Sequence, residues 1–133
     1  MREALFILYV RDQTTSTKFY ERTLSTLPRL NVPGMTEFQL TESSVLGLMP
    51  EAGIKRLLPN MPDPASGGGA PRAELYLYVD DPAVMFDAAV AAGAKSLDPL
   101  KKRDWGDKAA YCLDPDGHVV AFASPAAPIN PQQ

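Results

Sequence analysis

The chain has 133 residues, 45% hydrophobic and 22% charged, the proportions of one globular domain. Thirteen Lys and Arg against sixteen Asp and Glu give a net charge of −3. That balance excludes the basic stripe of a nucleic-acid module and the polybasic segment of a membrane-surface protein. No apolar run approaches the ~20 residues of a spanning helix. The start, Met1-Arg2-Glu3-Ala4, runs straight into a strand-like segment, which predicts no signal peptide. A lone Cys112 forms no internal disulfide and fits a reducing, cytoplasmic setting.

Ala4-Leu5-Phe6-Ile7-Leu8-Tyr9-Val10 reads as the first strand by its aliphatic and aromatic content. Asp12 then stands where a helix cap is needed, and a helix over roughly Thr14 to Leu24 places Phe19, Tyr20 and Leu24 on one side. Shorter strands follow near Arg29–Val32, Thr36–Thr41 and Val45–Met49. Residues 50–72 hold five prolines and Gly67-Gly68-Gly69, the composition of a long, structureless connecting loop. The triglycine lacks the strand, helix and Lys-Ser/Thr of a phosphate loop.

Glu74-Leu75-Tyr76-Leu77-Tyr78-Val79 opens a second half on the same plan. Asp81 is the second cap, Pro82 takes the first helical position, and Met85, Phe86, Ala89 and Val90 recur at helical spacing up to Gly93. Strands are predicted near Lys95–Leu97, Lys108–Leu113 and His118–Ala123, the last two joined by the turn Asp114-Pro115-Asp116-Gly117. Lys101-Lys102-Arg103-Asp104 reads as a solvated charged loop. Residues 125–133, with three prolines, read as an extended tail. The order strand, helix, three strands thus occurs twice, which is an internal repeat. Two such sheets packed together would curve around a shared, cleft-like ligand pocket. The predicted class is α+β: a module over about 1–49, a loop over about 50–72, and a second module over about 73–124.

Leu8-Tyr9-Val10-Arg11-Asp12 with Phe19-Tyr20, then Met35-Thr36-Glu37-Phe38-Gln39-Leu40, then Trp105-Gly106-Asp107-Lys108 leading to Asp114-Pro115-Asp116-Gly117-His118, together resemble the vicinal-oxygen-chelate superfamily. Its members include glyoxalase I, extradiol dioxygenases, fosfomycin-resistance enzymes and bleomycin-resistance proteins. The resemblance implies paired βαβββ modules. In the enzymes it also implies a divalent metal held by His or Gln on the opening strand, His on the opening strand of the second half, and Glu on the last strand. Those positions are Leu5, Glu74 and Ala121 here, and the fourth strand, Val45-Leu46-Gly47-Leu48-Met49, offers no acid. One carboxylate does not hold a transition metal, so no metal and no other cofactor is expected. His118, beside the turn, faces away from Ala121 by strand alternation.

Alternation places Leu5, Ile7 and Tyr9, Glu74, Tyr76 and Tyr78, and Val119, Ala121 and Ala123 toward the cleft. Phe6, Leu8, Leu75, Leu77, Val120 and Phe122 go under the helices. The candidate ligand-binding residues are Tyr9, Phe38, Met49, Glu74, Tyr76, Trp105 and Tyr111. Their rings suit a planar, apolar or cationic small molecule, with Glu74 as ion-pair partner or acceptor. The resemblance to the bleomycin-resistance branch implies a metal-independent homodimer that sequesters an aromatic natural product or antibiotic. The alternatives are a metal-dependent lyase, isomerase or dioxygenase of the same superfamily, and a domain that survives as an interaction module. Ordinary packing of the tyrosines and a solvated Glu74 are the plain structural readings of the same residues.

Overall fold

A computed structural model describes residues 1–125. The sequence prediction of an extended tail therefore falls, past Pro125, outside the described residues. The chain divides into two compact units, the first Met1–Ala70 and the second from Pro71 onward. Both have the order strand, helix, three strands, and the fold is α+β.

In the first unit, β1 (Ala4–Val10) leads into α1 (Gln13–Leu24), followed by β2 (Leu30–Val32), β3 (Met35–Gln39) and β4 (Ser44–Pro50). The sheet order is β1-β4-β3-β2. β1 and β4 run parallel, and the other pairs are antiparallel. Asp12 caps α1 by accepting the Thr15 backbone N–H at 2.9 Å, which satisfies one of the unpaired donors of the first turn. α1 packs on β3 and β4, burying Phe19 and Tyr20 against Phe38, Leu46 and Leu48, all within 2% of full burial. Thr17 and Thr36 exchange a hydroxyl hydrogen bond at 2.9 Å across that interface. Gln13 fixes the β2–β3 turn by donating to Val32 O and Thr36 Oγ1 and accepting from Gly34 N–H.

Two sequence expectations about secondary structure and helix cover fail in this unit. Residues 50–72 are not structureless: α2 (Glu51–Leu57) and a 3₁₀ turn (Pro64–Gly67) lie within them. The prolines stand at 50, 59, 62, 64 and 71 and leave 51–58 free of them. Glu51 opens that helix, Lys55 and Arg56 close it, complementing the helix dipole, and Ile54 is buried where α2 meets β4 and β1. Phe6 was expected under a helix but is 59% exposed, because β1 is the sheet edge and α1 covers β3 and β4 instead.

In the second unit, β5 (Glu74–Tyr78), α3 (Pro82–Ala91), β6 (Lys95–Lys102), β7 (Asp107–Leu113) and β8 (Val119–Pro125) repeat the arrangement, with order β5-β8-β7-β6. Asp81 caps α3 at Val84 N–H, with Pro82 in the first turn. α3 packs on β7, β8 and β6, over Ala110, Cys112, Val120 and Phe122, all fully buried. Val90 is 41% exposed, so it leaves the apolar face assigned from spacing. β6 extends beyond the predicted 95–97. Its pairing with β7 slips twice, between Ser96 and Asp98 and between Asp98 and Lys101, around Pro99, which has no N–H for the ladder. No helix among the described residues is long and apolar enough to cross a membrane.

Candidate functional site

Strand register sorts the residues of the second sheet onto its two faces. Opposite α3, one row runs Glu74–Val119–Leu113, the next Tyr76–Ala121–Tyr111, and the next Tyr78–Ala123–Ala109. Asp107 continues this face, two residues beyond Ala109 on the same strand. Ala109, Ala121 and Ala123 are fully buried and supply a floor of small side chains from which the tyrosines rise.

The aromatic groups meet at one carboxylate. Asp107 is 7% exposed. Its Oδ2 accepts hydrogen bonds from the Tyr76 hydroxyl at 2.6 Å and the Tyr78 hydroxyl at 2.8 Å. The rings of Tyr76 and Tyr78 stand edge to face, 5.4 Å apart at 72°. Trp105 reaches the same point from the β6–β7 turn and donates its indole N–H to the Tyr76 oxygen at 3.0 Å. That turn closes through Arg103 N–H to Asp107 O at 2.7 Å and Gly106 N–H to Arg103 O at 3.1 Å. Gly106 has φ +99°, a conformation that residues with a Cβ rarely adopt. Trp105 at 59% and Tyr78 at 63% remain open to solvent.

The hydrogen bonds set the ionisation of these groups. The Tyr76 and then the Tyr78 phenol hold the Asp107 carboxyl below the usual carboxylate range. Burial first, and the Asp107 bond second, push the Tyr76 phenol up to about 12. The Tyr78 phenol rises through the Asp107 bond foremost. Burial, followed by the charge of Glu74, raises Tyr111. At neutral pH the cluster is one carboxylate with two neutral phenols.

Arg103 supports this arrangement and is not the solvated loop residue its sequence context suggested. Its side chain is 10% exposed. It donates to Asp98 Oδ2 at 2.6 Å, to Pro99 O at 3.0 Å and twice to Ala109 O at 2.7 and 3.1 Å. Its guanidinium lies 4.9 Å from the centre of the Tyr111 ring. The bonds to Asp98 and Pro99 fall where β6 slips its register, so this one side chain ties the irregular stretch of β6, through the Pro99 carbonyl and the Asp98 carboxylate, to the Ala109 carbonyl of β7.

The structure brings Tyr76, Trp105 and Tyr111 onto one face, with Glu74 on the same face but elsewhere along it. Glu74 begins the far row, six residues of strand from Asp107 in β7 register, or roughly 20 Å. The carboxylate among the rings is therefore Asp107, which the sequence reading missed. Its signal was present, since alternation back from Tyr111 through Ala109 reaches Asp107. Tyr9 and Met49 face each other on neighbouring strands of the first unit, on the side away from α1. Phe38 lies on the opposite side, fully buried with its ring 6.4 Å from that of Tyr20. Its assignment to a ligand face is corrected: Phe38 is a core residue under α1.

The donor set for a metal does not fit. Leu5 and Ala121 carry no ligand atom, and Glu74 is a single exposed carboxylate. One other grouping of donors among the described residues, Asp114, Asp116 and His118, falls within 4.8 Å in the β7–β8 turn. There Asp114 Oδ1 accepts the backbone N–H groups of Asp116 and His118, and Oδ2 meets His118 Nδ1, all at 2.9 Å. Those bonds are what hold the turn. A groove of about 520 Å³ beside α1, lined by Gln13, Thr17, Lys18, Glu21 and Asn31 among others, presents no aromatic ring. Gln13 and Thr17 at its base bond to Thr36, which in turn donates to Asn31.

Residues 4–122 match the family described as the Glyoxalase/Bleomycin resistance protein/Dioxygenase superfamily. Among solved structures, a glyoxalase-related enzyme from Fulvimarina pelagi aligns over 96% of this chain and 91% of its own, with a TM-score of 0.80 and 23% identity. A glyoxalase/bleomycin resistance protein/dioxygenase from Nocardioides aligns over 98% and 87%, with a TM-score of 0.75 and 18% identity. At such identities the likeness is one of fold. Uncharacterised proteins of Mycobacterium bovis and Mycobacterium tuberculosis are 34% identical over 67 residues, 50% of this chain. The matched stretch spans 43% and 39% of those two proteins, less than half of their length.

Proposed function

Because the chain belongs to the glyoxalase/bleomycin resistance protein/dioxygenase superfamily, whose shared fold does not dictate one chemistry, we propose a function from the site itself: metal-independent binding of a planar aromatic small molecule on the α3-distal face of the second sheet. The supporting observation is the meeting of Trp105, Tyr76 and Tyr78 at Asp107. Exposed faces of Trp105 and Tyr78 offer stacking area, and rigid rings lose little conformational freedom on binding. Hydrogen bonds to Asp107 fix the phenols before any ligand arrives, which lowers the ordering cost of binding. The protein then acts stoichiometrically, sequestering an aromatic natural product or antibiotic in a resistance, self-protection or carrier role.

A homodimer belongs to the same proposal. β1 is a sheet edge on which Leu5, Phe6 and Ile7 are 39%, 59% and 41% exposed, an apolar edge of the kind a second copy covers. Sedimentation that returns only the 14.4 kDa monomer at micromolar concentration removes this part.

Trp105 is the sole tryptophan, so its fluorescence reports on the site without interference. Titration with a panel of planar aromatic antibiotics should give saturable quenching, with each ligand recovered intact. Recovery of an altered ligand would transfer the site to the lyase, isomerase or dioxygenase reading. No saturable response from any member of the panel would refute the binding function.

A further inference from the structure

Asp107 is the unusual group on this face. It is 7% exposed, yet no cation lies within ion-pair distance of it among the described residues. A buried carboxylate ordinarily has a cationic partner. The bases nearest in sequence do not supply one. Arg103 gives its charge to Asp98 at 2.6 Å, and Lys101 pairs with the same carboxylate at 3.3 Å. Lys108 pairs with Ser124 in the ladder, the register that faces away from Asp107. Both phenols bond to Oδ2, and the Trp105 indole also bears on the carboxylate, while neither phenol bonds to Oδ1. Among the described residues the one sealed side-chain polar atom without a partner is Thr23 Oγ1, so Asp107 Oδ1 is within reach of solvent.

The donors of the cluster are spent. The indole N–H goes to Tyr76, and both phenolic protons go to Asp107. What remains outward is acceptor capacity only: carboxylate Oδ1, phenol lone pairs and the negative faces of three rings. Among Trp105, Tyr76, Tyr78 and Asp107 a ligand carbonyl or an anion finds no donor. A positive charge finds each of these four groups favourable, and the cation nearest the face, Arg103, is held by Asp98 and lies against the Tyr111 ring.

Building on the binding role proposed above, we infer that the ligand is cationic: a planar aromatic molecule carrying an ammonium, amidinium or quaternary ring nitrogen. Its charge lies against Asp107 and its ring against Trp105 and Tyr78. Asp107 is the residue that selects charge, a role that Glu74, roughly 20 Å away along the strands, does not share.

The test compares N-methylquinolinium with quinoline, which is uncharged at neutral pH, by calorimetry on the whole protein. The two share a ring system and differ in charge. The cation should bind the wild-type protein about tenfold tighter or better. In Asp107→Asn that preference should fall below about threefold, by the same electrostatic reasoning. In Asp87→Asn, the same change in net charge at an exposed position of α3, the preference should persist. The N-methyl protons should also show NMR cross-relaxation with the ring protons of Tyr78 and Trp105 in the wild-type protein. That measurement needs no variant and stands if Asp107→Asn does not fold. Equal binding of the two probes, a preference that survives Asp107→Asn, or N-methyl contacts to other residues overturns the cationic assignment while leaving an aromatic-binding face. Binding of neither probe overturns both.

Discussion

Gly47 sits in the middle of β4, opposite Ile7 of β1 and Glu37 of β3, on the face away from α1. A Cβ built there would stand 2.9 Å from Ile7 Cγ1 and 3.5 Å from Met35 Sδ. The first distance is an overlap with a β-branched side chain that has one preferred rotamer and little room to yield. Overpacking of this kind costs about 1–3 kcal/mol. Removing a glycine from a strand interior returns about 0.5–1 kcal/mol. The net for Gly47→Ala is a loss of about 1–2 kcal/mol, a fall in Tm of roughly 3–8 °C for a chain of this size. Ile7 is 41% exposed, so Ile7→Ala costs about 1–2 kcal/mol, below the 2–5 of a fully buried isoleucine. The double variant has a methyl where Ile7 Cγ1 was in the way. Its destabilisation should fall short of the summed single losses by about 1–2 kcal/mol. Urea titration of the four proteins measures the cycle. Additivity within about 0.5 kcal/mol would refute the claim that Ile7 occupies the space over Gly47.

Thr23 of α1 is 1% exposed, and its hydroxyl has no partner. Thr23→Val keeps the shape and removes a desolvated polar group, so it should stabilise the protein by about 1 kcal/mol; a destabilised variant in urea would show that the hydroxyl is bonded after all. Asp107 yields a pH prediction. Its folded-state carboxyl is held below its ordinary range by the Tyr76 and Tyr78 bonds, so the unfolded chain takes up its proton first on acidification. The stabilisation is complete only well above the unfolded value of about 4 and is lost as pH falls through that value toward the folded one. Wild-type stability should therefore drop more steeply than that of Asp107→Asn between about pH 5 and 3, although Glu3, Asp12, Asp63 and Asp98 are lowered in both proteins. Parallel curves would remove the Asp107 contribution.

The repeat and the strand faces of the second unit were legible because β5, β7 and β8 alternate regularly. Tyr76, Ala121 and Tyr111 fall in one row by period alone. The first unit was harder. Thr36-Glu37-Phe38-Gln39 places polar groups on both faces. Thr36 turns inward because Thr17 and Gln13 on α1 satisfy it, and it takes Phe38 with it into the core. Glu37 and Gln39 stay on the other face because Arg29 binds both, at 2.9 Å each. No local pattern announces that a distant arginine neutralises a strand. Alternation from Tyr111 reaches Asp107, but its role was not legible for the same reason: its partners, Tyr76 and Tyr78, lie about 30 positions away. α2 was obscured by composition, since the prolines around 51–58 masked the proline-free window.

In each unit the first strand pairs with the last. β5 joins β8 with Tyr76 opposite Ala121, 45 positions apart, while β6, β7 and β8 are linked by turns of a few residues. Closing the long loop carries the larger entropic cost, and β5 is held along one side only. Detachment of that single strand withdraws both phenols from Asp107 and the acceptor from Trp105 in one step. The binding face is thus as durable as the seam between β5 and β8. Amide exchange at Leu75 and Leu77, faster than in β7, would time its opening, and a ligand that stacks on Tyr78 would slow it by holding the seam shut.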